Sequence, residues 1–160
     1  ITVLIGVTVW FNLTSGTKAV EVGDEAVDFK LTTLEGEEIQ LSKLTEDKGV
    51  ILNFWGTWCK PCREEMPDMN DIYTEGHEDY EIVAVNVGEN EQQIRQFISG
   101  LDANLEFPIA LDQSKSVTEA YNIGPLPTTI AVNKEGIIVK KQEYQLTHDD
   151  INAFISESTE

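Results

Sequence analysis

The chain has 160 residues, of which 29 are acidic and 11 basic, and its formal net charge is −18 with a sequence isoelectric point near 4.3. This length suits one domain that buries roughly two thirds of its unfolded surface, so folding requires neither a metal nor a disulfide. An acidic surface repels nucleic-acid phosphates and anionic lipid head groups, so we predict no nucleic-acid partner. The acids are scattered along the chain. This favours a solvated surface, with steering towards a basic partner as the alternative.

Residues 1–17 carry no charge, and their strongly apolar part ends near Leu13. Thirteen residues are short of the roughly 20 that span a bilayer. Three interpretations compete: the end of a membrane anchor, the apolar region of a cleaved signal peptide, and a buried first strand. Trp10 and Phe11 suit the interfacial belt of an anchor, and no Ala-x-Ala-like cleavage site follows. We therefore predict a residual anchor and polar linker over 1–21, and an extracytoplasmic domain over 22–160 held at the cell membrane by a single-pass anchor.

The remainder of the chain predicts strands that alternate with helices. Residues 27–31 and 38–41 form a predicted hairpin around a polar turn. Ser42 is a candidate cap for a short helical turn before Gly49. The later predicted elements are strand 50–55, helix 59–73 with Pro67 inside it, strand 81–87, helix 89–98, strand 107–111, helix 114–121, strands 128–132 and 137–141, and a helix that follows Thr147 and runs to about Phe154.

Two of these strands belong at the centre of a sheet. Residues 50–55 are apolar apart from Asn53, and residues 81–87 are nearly as apolar. Strands without polar alternation are usually buried on both faces and parallel to a neighbour. Together with the alternation of strands and helices, they predict an α/β fold with a central sheet flanked by helices.

Cys59 and Cys62 are the only cysteines, and they lie where the strand 50–55 gives way to a helix. Their spacing places both sulfurs on the first helical turn, close enough to form a disulfide. The free N–H groups and dipole of that turn stabilise a thiolate at Cys59, and Lys60 adds a positive charge. Cys62, one turn further and expected to be more buried, is placed to attack a mixed disulfide on Cys59. We predict a dithiol/disulfide redox centre with Cys59 as nucleophile and Cys62 as resolving thiol.

Two other interpretations of the cysteine pair are a zinc site and a structural disulfide. Zinc needs four ligands, and only His77 and His148 are available, without a paired spacing. No metal is therefore predicted, and both histidines are expected at ordinary surface positions. A bridge that closes so short a loop constrains the unfolded chain little, so stability alone is a weak reason for it.

Residues 54–67 read Phe-Trp-Gly-Thr-Trp-Cys-Lys-Pro-Cys-Arg-Glu-Glu-Met-Pro. The central Trp-Cys-Lys-Pro-Cys resembles the active site of thioredoxin-fold proteins. The residues on either side resemble those of the ResA/TlpA-type membrane-anchored thiol–disulfide oxidoreductases. Further matches lie at 23–29, 34–36, 83–88 and 124–129, so the resemblance covers residues 22–155, nearly the whole predicted domain.

The resemblance implies a thioredoxin-like fold: a central mixed β-sheet flanked by helices, an N-terminal β-hairpin, and an inserted strand–helix unit at about residues 90–111. It also implies that Pro127 is a cis-proline facing the disulfide, whereas Pro125 suits a trans turn. A cis X–Pro bond exposes the preceding backbone for pairing with an extended substrate. Trp58, Pro61, Leu126 and Pro127 are the implied substrate-binding residues. No metal or organic cofactor is implied.

Glu65 lies one turn after Cys62, so its carboxylate can approach the sulfurs. In ResA-like proteins the glutamate at this position tunes the cysteines and passes protons. Plain thioredoxins instead carry a buried aspartate in the preceding strand, where this chain has Asn53. The resemblance therefore implies a catalytic role for Glu65, and the alternative is a solvated helix acid like Glu64.

The function that follows is reduction of protein disulfides outside the cytoplasm. The resemblance implies the haem-binding disulfide of apocytochrome c as substrate, during cytochrome c maturation, and a membrane thiol–disulfide transporter as electron donor. The alternatives are a thiol peroxidase, a copper-delivery module and a redox-inert peptide-binding module. Peroxiredoxins have Thr where this chain has Gly56, and copper modules have Cys-x-x-x-Cys with a distal His.

Two departures from the family pattern concern the site. ResA-like chains usually carry Gly soon after the last strand, and residues 139–144 contain none. The resemblance therefore does not define the substrate surface beside Pro127. Lys60 stands where ResA itself has an acid, which favours the thiolate and predicts a somewhat less reducing centre.

Overall fold

The structure is a computed structural model that describes residues 19–160. Its secondary structure alternates strands with helices, as predicted. The elements in chain order are β1 (Lys30–Thr32), β2 (Glu38–Gln40), α1 (Leu41–Leu44), β3 (Gly49–Trp55), α2 (Lys60–Glu75), β4 (Tyr80–Val87), α3 (Glu91–Ile98), β5 (Ile109–Asp112), α4 (Ser116–Ala120), β6 (Thr128–Val132), β7 (Ile138–Glu143) and α5 (His148–Thr159).

The main sheet has five strands in the order β5-β4-β3-β6-β7. β3 pairs in parallel with β4 and antiparallel with β6, and β4 pairs in parallel with β5, so the sheet is mixed. β6 and β7 form an antiparallel hairpin at one edge, and β1 and β2 form a separate antiparallel hairpin. This is the predicted thioredoxin-like α/β fold with its N-terminal hairpin.

The apolar run predicted to be central is the middle strand of the sheet. All seven residues of β3 are buried, and they alternate between two hydrophobic layers. Ile51 and Trp55 face the layer filled by α2, α3 and α5, whereas Leu52 and Phe54 face the layer filled by α4 and the N-terminal hairpin. Because Asn53 shares its face with Ile51 and Trp55, its side chain points towards α2.

Two predicted helix details are wrong. Ser42 does not cap α1; Gln40 is the N-cap residue, and Ser42 instead donates to Asp28 from both its N–H and its hydroxyl. The last helix runs five residues beyond Phe154, to Thr159. Its final turn is polar in sequence, but Ser158 is fully buried against Gly49, where a Cβ would lie 2.4 Å from the Ser158 carbonyl oxygen. This close approach requires glycine at position 49.

The inserted unit predicted at about residues 90–111 consists of α3 and β5, with β5 parallel to β4 at the sheet edge. The described part of the predicted linker packs on the domain: Val20 is buried, and Lys141 Nζ donates to the Val20 carbonyl at 3.1 Å. The predicted membrane anchor falls almost wholly on residues outside those the structure describes. Within residues 19–160, no helix is both long and apolar enough to span a membrane.

Candidate active site

The two cysteines form a disulfide at the N-terminus of α2. Cys59 is the N-cap residue, in an extended conformation, and its Cα lies 5.3 Å from that of Cys62. The Cys62 N–H donates to Cys59 Sγ at 3.3 Å, and Pro61 lies in the first turn, where no N–H is needed. That turn holds no acidic residue. A reduced Cys59 therefore faces a backbone donor and the positive end of a 16-residue helix, which both stabilise a thiolate.

The surface beside the disulfide is formed by exposed residues of the same segment. Trp58 is 71% exposed and its indole lies over Gly56, where a Cβ would come within 2.8 Å of Nε1. Pro61 is also exposed. Lys60 Nζ lies 3.5 Å from the Glu64 carboxylate, and the Lys60 side chain is 85% exposed. Its charge is thus partly balanced by Glu64 and screened by water, which weakens the predicted contribution of Lys60 to the thiolate.

Glu65 is buried one turn after Cys62, and its side chain is held by two other elements. The Leu146 N–H, just before α5, donates to Oε2 at 2.8 Å, and Asn53 Nδ2 donates to Oε1 at 2.8 Å. Burial raises the pKa of Glu65 from 4.5 to about 7, against the smaller lowering by the two hydrogen bonds. Glu65 is therefore unlike its exposed neighbour Glu64, and it exchanges its proton near neutral pH.

Asn53, on β3, links Glu65 to the neighbouring strand β6. Its Nδ2 also lies 3.1 Å from Thr129 Oγ1 on β6. Its Oδ1 is buried and has no hydrogen-bond partner among the described residues. An unpaired buried acceptor costs about 1–3 kcal/mol. The contacts of Nδ2 with Glu65 and Thr129 offset part of that cost.

The Leu126–Pro127 segment directly precedes β6, the antiparallel neighbour of β3. The Leu126–Pro127 bond is cis, as the resemblance implied, whereas the bond before Pro125 is not. Thr128 pairs with Phe54, so Pro127 lies at the end of the sheet from which the chain continues to Cys59. Leu126 is half-buried and packs against the cluster that contains both cysteines. The four predicted substrate-binding residues thus lie at one end of the molecule.

Sequence reasoning missed Glu89, which anchors the loop before Cys59. Its carboxylate accepts from the Thr57 N–H at 2.8 Å, from the Thr57 hydroxyl, and from Asn86 Nδ2 at 2.8 Å. Glu89 follows the end of β4, and β4 is parallel to β3, so the two loops leave the same edge of the sheet. The sequence did offer a signal for Glu89: it follows a predicted strand next to the strand before the cysteines. Polar residues that follow adjacent parallel strands meet at the carboxyl ends of those strands.

The inserted helix α3 also contacts the site. Phe97 packs on Trp55, with 5.3 Å between ring centroids, and the Arg63 guanidinium lies 5.2 Å from the Phe97 centroid. Arg63 directly follows Cys62. The insertion therefore supports the first turn of α2 from its outer side.

His148 lies at the surface as predicted, whereas His77 is half-buried. His77 stacks on Tyr73, with ring centroids 3.8 Å apart, and His148 begins α5 at the surface. Within residues 19–160, no group of three or more His, Cys, Asp or Glu side chains is arranged to hold a metal ion.

Comparison with known proteins defines the class of the molecule. The thiol-disulfide oxidoreductase ResA of Geobacillus kaustophilus is 45% identical over 148 residues, which are 92% of this chain and 83% of that protein. The crystal structure of StoA from Bacillus subtilis superposes with a TM-score of 0.70 and 30% identity, over 80% of this chain and 96% of that one. The exposed lipoprotein thioredoxin Etrx1 of Streptococcus pneumoniae superposes with a TM-score of 0.73 and 29% identity, over 82% and 99%.

These similarities, with the disulfide at the start of α2, define a thioredoxin-fold thiol–disulfide oxidoreductase. The model of the AhpC/TSA family also matches, over residues 22–141. The chain belongs to that family and, within it, to the ResA thiol–disulfide oxidoreductases. The predicted class of enzyme is thereby confirmed, and the substrate, its binding residues and the cellular location stay predictions.

Proposed function

We propose that this oxidoreductase works as a reductant of protein disulfides, with Cys59 as the nucleophile. In the reduced enzyme the Cys59 thiolate attacks one sulfur of a substrate disulfide, and the other substrate sulfur leaves as a thiolate that takes up a proton. The Cys62 thiolate then attacks Cys59 Sγ and displaces the second substrate thiol. Two electrons pass to the substrate, and the enzyme is left with its Cys59–Cys62 disulfide. That oxidised state is the one in the structure.

Glu65 supplies the proton transfer that the second step needs. Cys62 is fully buried, so water has little access to its thiol. Glu65 lies one turn along the same helix, and its pKa of about 7 lets it accept a proton when Cys62 attacks and release it afterwards. This buried carboxylate, one helical turn after Cys62, is the observation that carries the proposal.

The substrate segment is proposed to lie between Trp58 and Pro61 on one side and Leu126 and Pro127 on the other. Among the described residues, no hydrogen bond uses the backbone N–H or C=O of Leu126. A free donor and acceptor next to a disulfide suit an extended polypeptide that adds a short strand there. The enzyme would thus recognise main chain around its target cysteines, which permits protein substrates.

The substrate proposed from family membership is the haem-binding Cys-x-x-Cys of apocytochrome c, kept reduced so that haem can attach. The electron donor would be a membrane thiol–disulfide transporter. We place the domain outside the cytoplasm, tethered through the apolar N-terminal segment. The similarity to an exposed lipoprotein thioredoxin supports that location.

The test of the substrate is a trapping experiment. The Cys62→Ser variant keeps the nucleophile but lacks the resolving thiol, so it should accumulate a mixed disulfide through Cys59. The probe is an oxidised peptide with the sequence Cys-x-x-Cys-His, and mass spectrometry of the adduct identifies the cysteine. Cys59→Ser is the matched control and should form no adduct. An adduct on Cys62 in the control, with none in the test variant, would contradict the assigned roles.

The direction of electron flow is tested by equilibration with glutathione redox buffers. A reductant requires a reduction potential below that of the glutathione couple, near that of thioredoxin at about −270 mV. A potential well above glutathione would identify an oxidant and overturn the proposal. A parallel assay with hydrogen peroxide addresses the thiol peroxidase alternative, for which rapid peroxide consumption is the diagnostic result.

A further inference from the structure

Tyr144 has a backbone conformation that a bulky residue rarely adopts. Its φ is 71°, in the left-handed region that favours glycine. It directly follows β7 and ends the segment 139–144, which lacks the glycine usual in ResA-like chains. A tyrosine kept in this conformation must be held there by the surrounding structure.

The surrounding structure that holds it is the proposed active site. Glu143 pairs with Thr128, so Tyr144 continues the ladder beside Pro127, and its N–H donates to the Pro127 carbonyl at 2.7 Å. Two residues later the Leu146 N–H donates to Glu65. The turn over residues 144–146 is therefore fixed at both ends by groups that line the site.

The side chain at this fixed turn is left in solvent. Tyr144 is 65% exposed, and it is one of four large hydrophobic residues that are exposed among those described. Val22 and Val27 lie in the N-terminal segment, whereas Trp58 precedes Cys59. Of the two exposed aromatic residues, one thus adjoins the nucleophile and the other adjoins Pro127.

We propose that Tyr144 is a specificity-determining residue whose ring contacts an aromatic or large aliphatic side chain next to the cysteines of the substrate. An extended segment paired at Leu126 passes beside Pro127, and Tyr144 is bonded to that residue. Aromatic rings with few rotatable bonds contribute contact area at low entropic cost. This inference rests on the proposed function and adds to it the kind of side chain that flanks the target disulfide.

The test compares two oxidised peptides that share one Cys-Ala-Ser-Cys ring and differ only in the flanking residues, Phe on both sides or Ser on both sides. For wild type, kcat/KM should be about tenfold higher for the Phe peptide, as expected for a well-placed aromatic contact. Tyr144→Gly should bring the ratio of the two values close to one. Glycine suits the φ of this position, so the variant should unfold at a temperature no lower than wild type.

Two controls separate a contact of the ring from a structural role. Tyr144→Phe keeps the ring and should keep the ratio, whereas Val22→Ser removes an exposed apolar side chain elsewhere and should leave both values unchanged. The inference is overturned if Tyr144→Gly lowers both values equally, if the ratio does not move, or if Tyr144→Phe behaves like Tyr144→Gly.

The same assay distinguishes this inference from the proposed function. If the wild-type protein reduces neither peptide, the proposed function is refuted. A wild-type protein that reduces both at equal rates leaves that function intact and refutes the role of Tyr144.

Discussion

The N-termini of α2 and α5 belong to helices that pack against each other, yet they are built in opposite ways. α5 begins with a capping box: the Asp150 N–H donates to Thr147 Oγ1 at 3.2 Å, and the Thr147 N–H donates to the Asp150 carboxylate at 2.8 Å. Asp149 and Asp150 add negative charge to its first turn. α2 is capped by the sulfur of Cys59 and has no acid in its first turn.

The difference shows what each helix end is used for. The positive end of α5 is neutralised by the Thr147 hydroxyl and the Asp150 carboxylate, which stabilises the fold. The positive end of α2 has only a weak sulfur acceptor while the disulfide is formed, so its stabilising effect remains available to a thiolate after reduction. An incompletely capped helix end costs stability, and the proposed role of Cys59 as nucleophile would account for that cost.

The largest expected effect comes from replacing the sulfur cap with an oxygen cap. Cys59→Ser should retain the helix, because Ser is a favourable N-cap residue, and should lose at least about a thousandfold in disulfide reduction. Circular dichroism checks the fold and turnover of an oxidised peptide checks the activity. Retention of activity in Cys59→Ser, with loss in Cys62→Ser, would show that the roles of the two cysteines are reversed.

The second-largest effect is expected at Glu65, and it is a change of stability with pH. The carboxylate of this α2 residue accepts a hydrogen bond from the Leu146 N–H, just before α5. Between about pH 4.5 and pH 7 the folded protein binds a proton at Glu65 more tightly than the unfolded chain, because its folded pKa is raised. Stability should therefore fall as the pH rises through this window, by about 3 kcal/mol in total. Urea unfolding of the oxidised protein at pH 5 and pH 8.5 measures this fall.

Glu65→Gln removes the titrating group and should flatten that pH dependence. It should also shift the pH profile of Cys59 alkylation in the reduced enzyme, and slow turnover about tenfold or more. Glu64→Gln is the matched control, since Glu64 is adjacent in sequence and half-exposed. Equal behaviour of the two variants would remove the assignment of Glu65 to proton transfer.

A smaller effect is expected at the conventional helix end. Thr147→Ala breaks the capping box of α5 and should cost about 1 kcal/mol of unfolding free energy. Turnover should change less than twofold, because the Leu146 N–H that bonds Glu65 belongs to the backbone. Denaturant unfolding and the peptide assay measure the two quantities. A large loss of turnover would mean that this cap also sets the position of Glu65.

The smallest effect is expected at Lys60. Its side chain is exposed and paired with Glu64, so Lys60→Ala should change the rate of Cys59 alkylation by less than about threefold. A much larger change would show that the lysine charge, and not the end of α2, governs the thiolate. The same measurement at 0.05 M and 0.5 M salt checks this, because screening weakens an exposed charge.

Much of the fold was predictable because its signals are local. The apolar runs of β3 and β4 and the turn signals between helices placed the central strands within one residue of their bounds. The last turn of α5 was missed because Ser158 is buried through a tertiary contact with Gly49. Ser42 was assigned as a cap on its residue type, whereas Asp28, distant in sequence, is its actual partner.

Spacing alone predicted the site only along one helix, and the cis bond before Pro127 was predicted from the family resemblance. Cys59, Cys62 and Glu65 lie on consecutive turns of α2, so sequence alone could group them. The pairings of Glu65 with Leu146 and of Glu89 with Thr57 join segments that are distant in the chain, and no local pattern encodes them. The left-handed backbone of Tyr144 was hidden for the same reason, because residue type favours a different conformation there.

Asn53 gives this site a property that an aspartate at the same place would lack. A primary amide is a donor at one end and an acceptor at the other, and here Oδ1 has no hydrogen-bond partner among the described residues while Nδ2 donates to Glu65 Oε1. A half-turn of the amide would bring Oδ1 to the position of Nδ2, where it would accept the O–H of a protonated Glu65. The Asn53–Glu65 pair is therefore suited to form a hydrogen bond in either charge state of the carboxylate, as the proposed proton transfer requires, without any rearrangement of the backbone.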